Sequence, residues 1–261
     1  MIEFLYHLSD FRLFALLVCF FVAISVVAIL AIKYFLPLRL RYRDNAVIGN
    51  ISSLIGIIYG VLASLMSLYL INNVNFAGDA VQREANAVAN IYIDSKELPA
   101  FMQANIQAKL KDYIENVKNR EWPLMKKGGI VNHDGDYIIE KLTNQIVSYS
   151  KSARSDALLT HDMLDEIKLL YDARQQRINQ SNSSLSTEVW VVILIGTFLL
   201  IGINYFFKAS SSLHFIALSA AIIIASSMVF LLLTLDRPFQ GEFAVEPDVF
   251  QSTLSFIEKK A

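Results

Sequence analysis

The sequence predicts an all-α, polytopic membrane protein: two transmembrane hairpins, four helices in all, with a helical extramembrane domain inserted between them. Three observations predict it. Hydrophobic residues make up 54% of the 261 and charged residues only 18%, against roughly 25% charged in an average soluble domain. Four apolar stretches each come close to or exceed the ~20 residues needed to cross ~30 Å of hydrocarbon as a helix. The polar stretch between the second and third keeps apolar residues at three- and four-residue steps and shows no strand-like alternation.

The first span runs from about Leu13 to Leu36 and carries one charge, Lys33. Its apolar core is too long for a signal peptide, and it ends in Lys33-Tyr34-Phe35 rather than at a small-residue cleavage site. The second covers about Ala46 to Ile71 and the third about Val189 to Phe207, both without charge. The fourth runs from about Leu213 to Leu235, with His214 at its start. Tyr34, Tyr69, Trp190 and Tyr205 near span ends suit the headgroup layer. Pro238 cannot extend a helix and closes the last span. The predicted organisation is therefore an N-terminal hairpin at 1–71, an extramembrane domain at 72–186, and a C-terminal hairpin with tail at 187–261.

The middle segment holds 15 Asp and Glu against 14 Lys and Arg, nearly neutral and well solvated. Val81, Val88 and Tyr92 continue the second span as one helix. A second helix follows Pro99 and ends near Glu121-Trp122-Pro123. Gly128-Gly129 and Asp134-Gly135 mark turns. A third helix is expected over about 137–150, and a fourth from near Ser155 through Leu164 and Leu170 to Arg177, interrupted by SNSSLST at 181–187. The loop PLRLRYRDN at 37–45, with Arg39, Arg41 and Arg43, and Lys208 in the other short loop, are a positive-inside signal. It argues for both termini and the middle domain on the outer side.

Net charge is −1, which gives no sign of a nucleic-acid partner. The lone cysteine, Cys19, cannot form an intrachain disulfide. There is no Walker loop, dinucleotide fingerprint or zinc helix, so neither an enzyme nor a cofactor is expected. The run from Asn132 to Asp136 begins like a calcium loop, but its glycine comes too early and no closing Glu follows. His161 and Asp165 share a helix face and read as a surface ion pair, and no metal site is expected. No acid or base lies mid-membrane, which argues against a proton-coupled pump.

The second span carries the one candidate site. Asn50, Ser53, Gly56, Gly60, Ser64 and Ser67 place small or polar residues along one face. Such a stripe serves close helix packing or borders water around an oligomer axis. The flank Ile58, Leu62, Met66 is a candidate hydrophobic constriction. Glu84, Arg177, Asp236 and Arg237 are expected to form an ion-pair cluster at the membrane surface, tying the domain to the bundle.

Several landmarks together resemble a bacterial and plant family of bestrophin-like membrane proteins. They are Tyr59-Gly60, Arg83-Glu84-Ala85-Asn86, Glu121-Trp122-Pro123 after Tyr113, Arg177 ahead of Trp190, and Asp236-Arg237-Pro238-Phe239-x-Gly241. The resemblance implies a homo-oligomer in the bilayer of the cell membrane, most simply the bacterial inner membrane. It also implies a channel for small anions or solutes, with the second span lining the pore and the termini cytoplasmic, opposite to the loop-charge reading. Bestrophin pores narrow at bulky, largely aromatic rings, which Ile58, Leu62 and Met66 do not reproduce. The alternative is a membrane-anchored scaffold or sensor whose helical domain binds a partner.

Overall fold

The computed structural model describes residues 9–35, 45–152, 157–207 and 212–260. The arginines of the 37–45 loop, Lys208 and the side chain of His214 lie outside the described residues. Every described element is helical: α1 (Asp10–Phe35), α2 (Asn45–Asp94), α3 (Ala100–Asn116), α4 (Trp122–Lys126), α5 (Asp134–Ser152), α6 (Ala157–Ser181), α7 (Thr187–Gly202), α8 (Ser212–Leu235) and α9 (Asp248–Lys260). Among the described residues, α1, α2, α7 and α8 are long and apolar enough to cross a membrane. At ~1.5 Å per residue the 50-residue α2 is about 75 Å long, far more than a bilayer requires.

The chain divides into two compact units, one of residues 1–72 and 184–236, the other of 73–183 and 237–261. In the first, α8 packs on α1 and α7. Leu13, Leu17, Phe21, Ile201, Leu218, Ile222, Ala225 and Val229 fill that core, and Leu70, Leu185, Ile193 and Leu232 form a second cluster. Most large apolar side chains here are nonetheless exposed, among them Val27, Leu54, Ile57 and Phe215. A bilayer is the solvent that makes such a surface stable.

The second unit has a fully buried apolar core of its own. Val81, Val88, Ile91 and Tyr92 of α2 pack against Ile106, Leu110 and Ile114 of α3, Leu142 and Ile146 of α5, and Met163, Ile167 and Leu170 of α6. The C-terminal α9 completes this core through Phe250 and Ile257. Tyr92 Oη also donates to the Ile257 carbonyl at 3.2 Å. The tail therefore groups with 73–183, whereas the sequence reading kept it with the last hairpin. The reason is the apolar stripe Phe250, Leu254, Ile257, which starts just after Pro247 and needs a core to cover it.

Between α3 and α4 the helix widens into a π-turn at Val117–Glu121. The helix thus runs past the boundary expected near Glu121, to Lys126. The wide turn brings Asn116 and Glu121, five residues apart, onto one side, where Asn116 Nδ2 donates to Glu121 Oε1 at 2.7 Å.

Candidate functional site

In the first unit, α2 presents four distinct sectors, one of them the exposed apolar Leu54, Ile57, Val61 and Leu68. Tyr59, Ala63 and Leu70 are buried against the subunit. The contact is made tight from the other side, by α7. A methyl at Gly196 would lie 2.6 Å from Tyr59 Cδ2, and the Tyr59 hydroxyl shares a 2.9 Å hydrogen bond with Thr197 Oγ1. The small-residue stripe has no such neighbour. Asn50, Ser53, Gly60 and Ser64 are exposed, and a methyl at Gly60 would meet nothing within 4 Å. Gly56 sits beside Leu200, with 3.8 Å to its Cδ1, and only Ser67 of the stripe is buried. Ser64 and Ser67 donate to the carbonyls of Gly60 and Ala63 one turn earlier, at 2.8 and 2.9 Å.

The flank Ile58, Leu62, Met66 lies two residues off the stripe, about 160° around the helix at 100° per residue. It lines an apolar groove of about 490 Å³ with Val192, Gly196 and Leu199 of α7. Stripe and flank therefore lie on opposite sides of the buried line.

The second unit holds a fully buried charge cluster. Arg177 grips Glu84 with two bonds, Nε to Oε2 at 2.6 Å and Nη2 to Oε1 at 2.9 Å. The same Nη2 reaches Glu121 Oε2 at 2.7 Å, and Arg174 Nη1 meets that oxygen at 2.5 Å. Tyr113 Oη donates to Glu84 Oε1 at 2.5 Å. Arg174 also bonds Asp136 Oδ1 at 2.9 Å and the Asn132 carbonyl at 3.2 Å. Glu84, Glu121, Arg174 and Arg177 are all 0% exposed. Desolvation of buried charges is expensive, so such a cluster holds only when every lone pair and N–H is matched, as two-pronged arginine pairs allow.

The surroundings shift the titrating groups accordingly. Burial would lower both guanidinium pKa values, but Glu84 and Glu121 hold Arg177 above its ordinary value, and Glu121 does the same for Arg174. Burial, with Glu84 beside it, pushes the Tyr113 phenol well above 10. Burial would raise Asp136, yet hydrogen bonds from His133 and Arg174 hold it below the usual aspartate value. Gly135 is required by closeness: a methyl there would lie 2.5 Å from Arg174 Cζ and 2.7 Å from Glu121 Oε1.

Of the four residues expected to form an ion-pair cluster, the structure joins Glu84 to Arg177. Asp236 belongs to the first unit and accepts from the Leu185 amide at 2.6 Å. Arg237 belongs to the second, its Nε buried with no hydrogen-bond partner among the described residues. The turn after it needs Gly241, whose φ is +86°, and is closed by a 2.8 Å bond from Val245 N–H to the Pro238 carbonyl. Phe239 packs edge-on against Trp122 at 5.5 Å, and Arg177 lies over that indole at 5.7 Å. Tyr113, Glu121, Arg174 and Asp136 were not assigned to the cluster from sequence. The signal existed for Arg174: it continues the stripe Met163, Ile167, Leu170, where an apolar residue is expected and a charge must be paired. His161 Nδ1 lies 3.4 Å from Asp165 Oδ2 on an exposed helix face.

Two membrane hairpins around an inserted helical domain define a polytopic α-helical membrane protein. The chain belongs to the bestrophin-like family: residues 19–250 match the Bestrophin-like domain. Solved structures agree on the fold. Two variants of a bacterial bestrophin homolog from Klebsiella pneumoniae align with TM-scores of 0.69 and 0.68, at 13% and 12% identity. The alignments cover 94% of this chain and 98% and 96% of those chains. A further structure of the Klebsiella homolog aligns at 0.66, with 13% identity, over 94% and 96%. No curated protein matches the chain.

Proposed function

We propose that the protein is a homo-oligomeric, bestrophin-like channel in the cell membrane, passing anions or small solutes along an axis lined by α2. The carrying observation is the exposure of the small-residue stripe in the single subunit. Asn50, Ser53 and Gly60 have no covering helix of their own. A face that offers an amide, a hydroxyl and bare backbone is unsuited to acyl chains. A second copy gives it a neighbour.

The sectors of α2 suit a ring. Tyr59, Ala63 and Leu70 point into the subunit; the opposite sector, Leu54, Ile57, Val61 and Leu68, is exposed and apolar. With the first sector outward and the second toward the axis, the two flanks meet neighbouring copies. Gly56, Gly60 and Ser64 of one copy then receive Ile58, Leu62 and Met66 of the next. That is a head-to-tail contact of the kind that closes rings. Ile58 borders the axis as well, so a hydrophobic constriction draws on Ile57, Ile58 and Val61.

The test is flux through liposomes, reading anion and small-solute release for wild type, Ile58→Ala and Gly60→Leu. Gly60→Leu is informative because the subunit itself leaves room for the added side chain. Wild-type flux that Gly60→Leu abolishes and Ile58→Ala alters is the expected result. Absent flux, or flux indifferent to both changes, contradicts the reading.

A further inference from the structure

Among the described residues of the membrane unit, the buried serine and threonine hydroxyls are those of Ser25, Ser67, Thr197 and Ser226. Three of them bond the carbonyl one turn back, Ser67 to Ala63 O and Thr197 to Ile193 O at 2.9 Å, and Ser226 to Ile222 O at 2.7 Å. That local bond is the simplest way to hide a hydroxyl in hydrocarbon. Ser25, on α1 and only 3% exposed, forgoes it. Its Oγ makes no hydrogen bond of good geometry among the described residues. A buried oxygen held this way is unfavourable until something supplies it with a partner.

The oxygen borders a cavity of about 220 Å³ between α1 and the end of α7. Phe21 and Phe198 line it, their rings edge-on at 6.1 Å. Past Gly202 the helix tightens into a 3₁₀ turn, Ile203–Phe206, which brings Tyr205 and Phe206 to the same space. The Tyr205 hydroxyl is a polar neighbour of Ser25. Gly202 keeps the cavity open, since a methyl there would meet nothing within 4 Å. All of these residues belong to the first unit. An apolar cavity of ~150 Å³ already admits benzene, so this one has room for a ring with a polar substituent. Aromatic walls with one placed polar group are the pattern of a small-molecule site. An acyl chain would fill the volume and leave Ser25 unpaired.

We propose that this cavity binds a small neutral molecule of phenol-like chemistry, one aromatic ring bearing one hydrogen-bonding oxygen, with Ser25 as its polar contact. The site lies within a single subunit and stands whether or not α2 lines a conduit. Ser25 holds no other group in place, so Ser25→Ala removes only the oxygen and should leave oligomer size unchanged.

The experiment is fluorine NMR of para-fluorophenol and its methyl analogue para-fluorotoluene, titrated with the full chain in detergent against empty micelles. Wild type is expected to show saturable binding of para-fluorophenol. Ser25→Ala should weaken it about 3–10-fold, the worth of one hydrogen bond, and leave para-fluorotoluene unaffected. Gly202→Leu, which fills the cavity, should abolish binding of both; if that variant does not assemble, Ser25→Ala decides alone. Wild-type protein with no saturable component would overturn the site. Para-fluorophenol binding indifferent to Ser25→Ala would overturn it too, reducing the cavity to an apolar crevice for acyl chains.

Discussion

The two units hide polar groups from their surroundings by opposite means. In the membrane unit, hydroxyls bond their own helix: Thr197 to Ile193 O at 2.9 Å, Ser226 to Ile222 O at 2.7 Å, Ser227 to Ile223 O at 2.8 Å. Each is satisfied within one turn, and of the three only Thr197 also bonds another helix, through the Tyr59 hydroxyl. In the second unit, two buried arginines and two buried glutamates satisfy one another across three separate segments, Glu84 on α2, Glu121 in the π-turn, and Arg174 and Arg177 on α6. The first arrangement leaves helix contacts to shape, as where Tyr59 presses on Gly196; the second ties three segments together through charge. The difference suggests that the membrane unit is specified by shape, small against large, whereas the second is specified by charge matching.

Breaking the cluster should have the largest effect. Arg177→Ala leaves Glu84 buried without its arginine and Glu121 with Arg174 alone, a loss of about 3–5 kcal/mol for a buried pair broken on one side. Denaturant titration in detergent, read by Trp122 fluorescence in a Trp190→Phe background, should show a much lower midpoint and reduced assembly. An unchanged midpoint and oligomer size would mean the cluster is not what holds the unit. Gly135→Ala, which drives a methyl onto Arg174 and Glu121, should cost about 1–3 kcal/mol by overpacking. The same assay reads it, and a neutral result would show that the cluster relaxes easily.

The membrane unit gives a paired contrast of similar size. Gly196→Ala collides with the Tyr59 ring and should cost about 1–3 kcal/mol, whereas Gly60→Ala meets nothing within the subunit and should be silent in a dissociated monomer. Equal thermal shifts for the two would erase the distinction between inward and outward faces of α2. The smallest effect concerns pH. Asp136 is held below the usual value near 3.9, so its contribution is fully present above that value and is lost as pH falls through the depressed one. Asp136→Asn should flatten the acid limb of a stability–pH curve. A limb of unaltered slope would assign acid sensitivity to other carboxylates.

Much of this was legible in the sequence. Uninterrupted apolar length marks the four spans, and the small residues of α2 mark a face without bulk. The charge cluster was only half legible. Glu84 and Arg177 stood out as landmarks, but Glu121 reaches the core through a π-turn that period-3.6 reasoning does not anticipate. Arg174 was readable as a charge on an apolar stripe. The covering of Phe250 and Ile257 depends on a core assembled from residues more than a hundred positions away, and local pattern cannot supply that. Nor could the stripe say which helix, if any, lies against it: Gly196, not Gly60, is the glycine pressed by a neighbour inside the subunit.

The central claim is that the small face of α2 meets α2 of another copy rather than lipid. Cysteine cross-linking in native membranes tests it most directly, in a Cys19→Ser background with Gly60→Cys and Leu62→Cys combined, oxidised by copper phenanthroline. The account predicts a ladder of disulfide-linked oligomers, absent when Ala63→Cys, turned into its own subunit, replaces either partner. Thiols at 60 and 62 that label freely yet never cross-link would contradict it.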